Sequence, residues 1–202
     1  MEAHKDFVII GNQNAITYKE VFPLLMHNQV WLGNGFKSGN AFFKVVGDRA
    51  YAAGVYDNTT GLVKFRNCCW FTNMEHGKRH QPLRLMTMKD NIKFSKHKDI
   101  KGVGYQKYDN YDAIEVNYYD AIPSDYDGVM GVAITFLDKY CPEQFEIVGI
   151  AKRGPGDPAL KTRVYTKADF PNYSDLNAVP TLKDASGKLY NTYPRILIRK
   201  RK

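Results

Sequence analysis

The sequence predicts a mixed α/β (α+β) fold in which the end of an α/β sheet is followed by a β-rich region. The chain starts with one strand–helix–strand unit, and short β-branched or aromatic runs separated by Gly, Asn and Asp follow it. A parallel sheet of two strands cannot cover both of its faces, so the first unit indicates the end of a larger α/β domain. We therefore predict two regions: residues 1–50 as the end of that domain, and residues 51–202 as the β-rich region.

The first unit is predicted from three adjoining segments. Phe7–Ile10 is an apolar run that predicts a buried strand. Residues 15–27 have helical spacing of apolar residues, with Thr17 in a capping position, whereas Pro23 indicates either a kink or a later start of the regular turns. Val30–Leu32 predicts a second strand, which completes the repeat of an α/β sheet.

The rest of the chain is predicted to be mainly strands and irregular structure. The runs that predict strands are residues 41–46, 62–65, 69–72, 113–116, 129–135 and 145–150, and the chain ends in an apolar run, 196–198, before a basic tail. Residues 89–107 are polar and lysine-rich, which predicts a loop over the surface or along a ligand, and residues 136–140 predict one helical turn. Residues 154–158 form a turn-rich break, and residues 169–179 are predicted to be irregular.

The charge distribution favours a polyanionic partner. The chain has a net charge of +8, but residues 108–127 contain six acidic and no basic residues. The remaining chain therefore has 29 basic and 15 acidic residues, a net charge of +14. A basic field of this kind favours nucleic acid, although a basic protein without such a partner is the alternative. The acidic stretch is predicted to be a solvated, tyrosine-rich face.

The composition favours a cytoplasmic protein without a membrane partner. The sequence has no run of 18 apolar residues and no N-terminal pattern of a secretory signal. Its three cysteines include the neighbours Cys68 and Cys69, which rarely pair with each other, so reduced thiols are expected.

The usual sequence motifs of nucleotide binding and nucleophilic catalysis are missing. Gly33–Phe36 and Gly102–Gly104 come nearest to a Gly-x-Gly-x-x-Gly loop, but neither is predicted to open a helix. No Gly-Lys-Ser loop and no Gly-x-Ser-x-Gly turn occurs in the sequence.

Two metal-dependent functions are weaker alternatives. Cys68, Cys69, His76 and His80 are close in sequence, but adjacent cysteines do not form the usual zinc knuckle, so a basic loop is favoured over a zinc site. Asp99-Ile100-Lys101 is the only acid-x-lysine pattern that a metal-dependent nuclease would need, and it lies outside any predicted strand. We therefore predict no metal site.

Basic residues on strand ends and loops are the candidate DNA contacts, because cations on a rigid sheet suit phosphate groups. The residues predicted to contact DNA are Lys64, Arg66, Lys78, Arg79, Lys152 and Arg153. Asn12 and Asn14 follow the first strand, and ligands of α/β sheets bind at the carboxyl ends of strands. These two residues are therefore predicted to face an active site, with turn and cap roles as the alternative.

Segments along nearly the whole chain resemble EcoRI-type adenine-specific DNA methyltransferases. They are Phe7–Glu20, Trp31–Phe36, Val63–Asn67, Trp70–Asn73, Lys107–Ala113, Asp125–Val132, Ile134–Tyr140, Pro142–Ile147 and Tyr193–Arg199. Ala133 occupies a position where the sequence pattern of the family has proline. The resemblance implies transfer of a methyl group from S-adenosylmethionine to adenine N6, on a base flipped out of the duplex, in a restriction–modification system.

The resemblance also implies that this chain is the C-terminal portion of such an enzyme. The family uses a glycine-rich S-adenosylmethionine loop and an Asn- or Asp-Pro-Pro-Phe/Tyr motif, whereas this sequence has nine prolines and no Pro-Pro pair. Met1 is therefore expected to lie partway through the methyltransferase sheet. The chain would supply the last sheet elements and the target-recognition region, with no catalytic residue and no bound S-adenosylmethionine of its own. Its expected partners are double-stranded DNA and either the missing N-terminal catalytic part or a separate catalytic chain.

Overall fold

The chain forms two compact units, Met1–His76 and Gly77–Lys202. The computed structural model describes residues 5–33, 39–47, 49–152, 160–170 and 177–202. Several sheets and few helices make up both units, which confirms the mixed α/β composition. The units divide after His76, later than the boundary predicted at residue 50, and the functional assignment of residues 1–50 and 51–202 stays a prediction.

The first unit contains two sheets of three antiparallel strands each. One sheet has the order β1-β6-β2 and the other β3-β5-β4. The strands are β1 Val8–Asn12, β2 Trp31–Leu32, β3 Ala41–Phe43, β4 Tyr56–Asp57, β5 Leu62–Phe65 and β6 Cys68–Thr72.

β6 separates the two strands of the predicted α/β repeat. Val8 and Trp31 both lie opposite Thr72, so β1 and β2 run in the same direction but are not neighbours. The local sequence pattern indicates strands, but it does not show that a strand from much later in the chain pairs between them.

The predicted helix between β1 and β2 consists of two shorter elements. A 3-10 helix spans Gln13–Thr17, and α1 spans Phe22–Met26. Asn12, and not Thr17, caps the first element, because its side-chain oxygen accepts a backbone N–H two residues later at 2.9 Å. Pro23 lies in the first turn of α1, where its missing N–H is tolerated, so the later start of regular turns is confirmed.

The prediction that β1 is buried is wrong. Val8, Ile9 and Ile10 are 54%, 55% and 42% exposed. Among the described strands, β1 has only β6 beside it, without the second neighbouring strand and the covering layers that bury a parallel strand.

The second unit is built on a four-stranded sheet with the order β7-β8-β12-β9, in which β7 and β8 are parallel and the other pairs antiparallel. A separate antiparallel pair, β10-β11, was not predicted from the sequence. The strands are β7 Ile114–Val116, β8 Met130–Ala133, β9 Phe145–Ala151, β10 Thr181–Lys183, β11 Leu189–Asn191 and β12 Arg195–Lys200.

The helices of the second unit are short. The 3-10 helices are Gly77–His80, Tyr119–Ala121 and Ile134–Lys139. α2, Met88–Phe94, lies where a loop was predicted, and Thr87 caps it by accepting the Asp90 N–H at 3.1 Å. Across the described ranges, no helix has the length and apolar character needed to cross a bilayer.

The acidic stretch of residues 108–127 is not the solvated face that the sequence predicted. Tyr108 and Tyr111 are 3% and 0% exposed and belong to the core of the second unit. Cations from other parts of the chain pair with its acids: Lys107 with Asp112, Arg163 with Asp109, Lys96 with Asp120 and Arg195 with Glu115. Apolar and charged residues alternate in this stretch because its strand and turns have one buried side.

Candidate nucleic-acid interface

The turn after β1 lies beside the link between β5 and β6. Asn12 at the end of β1 pairs with Cys68 at the start of β6. The Gln13 N–H donates to the Asn67 carbonyl oxygen at 2.5 Å. Because Arg66 directly precedes Asn67, the structure places this predicted DNA contact next to the predicted Asn12–Asn14 turn.

This corner of the first unit, which we call the polar corner, exposes Asn14, Arg66 and Asn67 to solvent. Asn14 and Arg66 are exposed, whereas the side chain of Asn12 serves as a helix cap, as the alternative interpretation had it. Asn67 has a φ of 56°, a left-handed conformation that Asn tolerates better than most residues. The sequence reasoning did not select Gln13 or Asn67, although Asn-rich turns between strands are a signal for such sites.

Lys64 lies on β5 in the second sheet of the same unit, where it is half-buried. It lies opposite Phe42 on β3, and its Nζ is 5.9 Å from the centroid of that ring. Lys64 and Arg66 are two residues apart, a spacing that would put both side chains on one face of a continuous strand. β5 ends at Phe65, however, so the alternation of the strand does not set the direction of Arg66.

The two candidates at the start of the second unit are less available. Lys78 forms an ion pair with Asp138 at 2.6 Å, and its side chain is 23% exposed. Arg79 is only 8% exposed, which makes it a weaker candidate for contact with a phosphate group. Both lie in the 3-10 helix Gly77–His80.

The last two candidates follow β9. Lys152 is half-buried and comes directly after Ala151, the last residue of that strand. Arg153 lies outside the described residues.

The two histidines considered for zinc have other contacts. His80 Nδ1 is 2.8 Å from Glu143 Oε1, and the Cys141 thiol donates to Glu143 Oε2 at 3.1 Å. These hydrogen bonds, first that of Cys141, lower the pKa of Glu143 to about 2. His76 Nε2 lies 2.9 Å from the Leu32 carbonyl oxygen. Within the described ranges, no cluster of three or more His, Cys, Asp or Glu side chains is arranged to hold a metal ion.

Asp99 and Lys101 lie in the turn that follows α2, around the buried Ile100. Asp99 lines a cavity of about 380 Å³ together with Glu115. Glu115 is ion-paired with Arg195 at 2.6 Å, so it is not free to share a divalent cation with Asp99. This arrangement does not favour the nuclease alternative.

The described glycines do not form a cofactor loop. Gly102 and Gly104 have φ values of 75° and 94°. Their N–H groups donate to the carbonyl oxygens of Ile92 and Ile100, so the turn folds back on α2 and opens no helix. Gly33 is the last described residue of the other glycine pair. The turn of Gly102 and Gly104 therefore does not supply a loop for S-adenosylmethionine.

Comparison with known proteins identifies the relatives of this chain. The family model of the adenine-specific methyltransferase EcoRI matches residues 1–201. The chain is 42% identical over 152 residues to the Type II methyltransferase M.EcoRI of Escherichia coli, covering 73% of this chain and 44% of the relative. It is 31% identical over 206 residues to the Type II methyltransferase M.MpnI of Mycoplasma pneumoniae, covering 99% of this chain and 58% of the relative.

A second mycoplasma relative has the same extent of match. The Type II methyltransferase M.MgeORF184P of Mycoplasma genitalium is 30% identical over 208 residues, covering 99% of this chain and 58% of the relative. The chain thus spans about half the length of the curated relatives that it matches. No solved structure matches it.

Proposed function

Because the chain belongs to the EcoRI family of adenine-specific methyltransferases, we propose that it is the C-terminal part of an adenine-N6 DNA methyltransferase of a restriction–modification system. In this proposal the chain binds and recognises DNA in the cytoplasm. The complete enzyme uses S-adenosylmethionine to methylate a base flipped out of the duplex. The polar corner beside the end of β1 is the observation that carries the DNA-binding role.

The exposure of β1 supports a position inside a larger sheet. Val8, Ile9 and Ile10 alternate between the two faces of the strand, and each is exposed. A strand that is apolar on both faces is typical of the interior of a covered parallel sheet. The earlier strands of a methyltransferase sheet would provide such a neighbour for β1.

The polar corner supports a role at the DNA. It lies at the carboxyl end of β1, and ligands bind at the carboxyl ends of strands in the parallel α/β sheet to which this proposal assigns β1. The Asn14 amide and the Arg66 guanidinium are both exposed there. Arg suits phosphate groups and guanine edges, and Asn suits adenine edges.

The six predicted cations can be ranked as DNA contacts by their burial and their ion pairs. We place Arg66 first, because it is exposed, and then the half-buried Lys64 and Lys152. Lys78 would have to leave Asp138 to reach a phosphate group, and Arg79 would have to leave its buried position. Arg153 remains a candidate on its sequence position alone.

The DNA-binding role is tested by titrating a fluorescein-labelled duplex with the chain at several salt concentrations. Affinity should fall steeply between about 50 and 200 mM salt, because each phosphate contact releases counterions. Arg66→Ala should reduce the slope of log K against log salt by roughly 0.9 if one contact is lost. Lys107→Ala is the matched control, since Lys107 is an exposed cation already paired with Asp112 at 2.7 Å. A flat salt dependence, or equal slopes for both variants, would contradict the proposal.

The missing catalytic motifs are tested by isothermal titration calorimetry with S-adenosylmethionine. The chain alone should show no heat of binding, because the described glycine turn does not form a cofactor loop. Micromolar binding would refute the assignment of cofactor binding to another part of the enzyme.

A free-standing recognition subunit with a separate catalytic chain is the alternative, and the exposed β1 favours it equally. It predicts a monodisperse monomer in solution and methylation of duplex DNA only after the catalytic chain is added. Labelled methyl transfer from S-adenosylmethionine measures this directly. Methylation by the present chain alone would exclude both forms of the proposal.

A further inference from the structure

The β3-β5-β4 sheet exposes an unusual number of aromatic rings. Four of its nine strand residues are aromatic, and their side chains form a set that we call the aromatic sheet. Phe42, Phe43, Tyr56 and Phe65 are 56%, 38%, 43% and 44% exposed. The buried positions of these strands, by contrast, hold Ala41 and Val63. Large apolar side chains grouped on a surface in this way indicate a binding site.

The strand register places most of these rings on one face. Phe43 and Tyr56 both lie opposite Val63, and Phe65 lies two residues further along β5, so their side chains point to the same side. The Phe43 and Phe65 rings meet edge to face, with centroids 5.7 Å apart. Tyr51 stacks on Tyr56 at 5.6 Å with an interplanar angle of 9°, so flat ring surfaces already pair at this site.

Phe42 occupies the other face together with Lys64. The two residues are cross-strand neighbours, and the Lys64 Nζ lies 5.9 Å from the centre of the Phe42 ring. Phe42 is the most exposed ring of the sheet. A cation beside an accessible aromatic face is the combination found in surfaces that bind single-stranded nucleic acids.

The local charge favours a polyanion over an apolar protein partner. Residues 39–66 contain four basic and two acidic residues. One of the acids, Asp57, accepts hydrogen bonds from Thr59 N at 2.8 Å and from Thr60 Oγ1 at 2.9 Å, so its own turn holds its carboxylate. Lys64 is thus a charge partner for a phosphate group next to the Phe42 ring.

We propose that the Phe42 face of the aromatic sheet binds unpaired nucleobases of single-stranded or locally opened DNA, by stacking of a base on Phe42 while Lys64 contacts a phosphate. Bases of an intact duplex present only their edges, whereas an unpaired base offers the flat face that stacking requires. The inference rests on the proposed DNA-binding function. It adds that the chain recognises opened DNA through a surface separate from the Asn12–Asn14 turn.

The test compares two DNA probes with the 202-residue chain. Fluorescence anisotropy measures the binding of a labelled twelve-nucleotide oligo-dT strand and of a labelled mixed-sequence duplex at one salt concentration. Phe42→Ala should weaken binding of the single strand about 5- to 150-fold, the range for one stacked base, and change duplex binding little. Phe65→Ala, on the opposite face of the sheet, should change binding of the single strand less.

Phe94→Ala is the matched control. Phe94 is 59% exposed and has the Lys93 ammonium 4.9 Å from its ring centre, but it lies on α2 and outside the aromatic sheet. Its removal should leave binding of the single strand unchanged. Circular dichroism spectra that match the unsubstituted chain show that each variant is folded.

The outcomes separate this inference from the proposed function. Loss of single-strand affinity in Phe42→Ala alone, with Phe94→Ala unaffected, supports it. Equal single-strand binding by all variants overturns this inference, whereas duplex binding would still support the proposed function. Absence of binding to both probes overturns the inference and the proposed function. Concentration-dependent self-association that Phe42→Ala abolishes, without binding of the single strand, would overturn it in favour of a second copy of the chain.

Discussion

The ion pair between Glu115 and Arg195 provides the strongest stability prediction for the second unit. Glu115 lies on β7 and Arg195 on β12, so the pair crosses over β8, which separates these strands. Arg195 Nη2 is 2.6 Å and its Nε 3.1 Å from the carboxylate, and the side chains are only 6% and 14% exposed. The Tyr108 hydroxyl also donates to Glu115, and burial raises the pKa of Tyr108 so that it keeps this proton.

Glu115→Gln would leave the Arg195 charge buried without its counterion. Removing one partner of a buried ion pair costs about 3–5 kcal/mol, a large part of the 5–15 kcal/mol that stabilises a typical domain. The double variant Glu115→Leu/Arg195→Met removes both charges and should recover most of this loss, because no unpaired charge remains.

Urea denaturation followed by circular dichroism measures these changes as free energies of unfolding. Asp112→Asn is the control, because its ion pair with Lys107 is exposed and should contribute much less than the buried pair. The reasoning is wrong if Glu115→Gln costs no more than this control, or if the double variant is less stable than the single one.

Three further predictions concern the second unit. Gly131→Ala should destabilise the chain strongly in urea denaturation, since a Cβ there would overlap the Tyr108 side chain, whereas Gly77→Ala meets no atom within 4 Å and should be tolerated. The pKa of Glu143 is lowered to about 2, so its stabilisation is present above its ordinary pKa of 4.5 and is lost as pH falls toward 2. The difference in denaturation midpoint between the chain and Glu143→Gln should therefore shrink over that range; a constant difference would contradict it. Thr87→Ala should cost about 1 kcal/mol through loss of the α2 cap, which hydrogen exchange in α2 would also show.

Strands with a clear local pattern were predicted correctly. Residues 62–65 coincide with β5, and the predicted run 145–150 lies within β9, because apolar and β-branched residues dominate both segments. The pair β10-β11 was missed, since its short mixed strands depend on each other's hydrogen bonds more than on their own composition. The helix α2 was missed because polar, lysine-rich residues cover its sequence, although Thr87 caps it well.

The sequence showed only partly which of the candidate DNA contacts are accessible. It identified Arg66 and the Asn12–Asn14 turn, which the structure places side by side. It did not distinguish the exposed Arg66 from Lys78, because the Asp138 that neutralises Lys78 lies 60 residues away in sequence. The sequence also did not show that Arg79 is buried, since its exposure depends on how the whole unit packs around it.

The sequence by itself determined the family, the basic character and the main strand segments, because each depends on residue identity along a short stretch or on a simple total. The tertiary structure alone decided that β6 separates β1 from β2, that Glu115 neutralises Arg195 across 80 residues, and that the aromatic sheet stays exposed. These features arise from contacts between segments that are distant in sequence. Such contacts form only when the whole chain folds and buries its apolar faces.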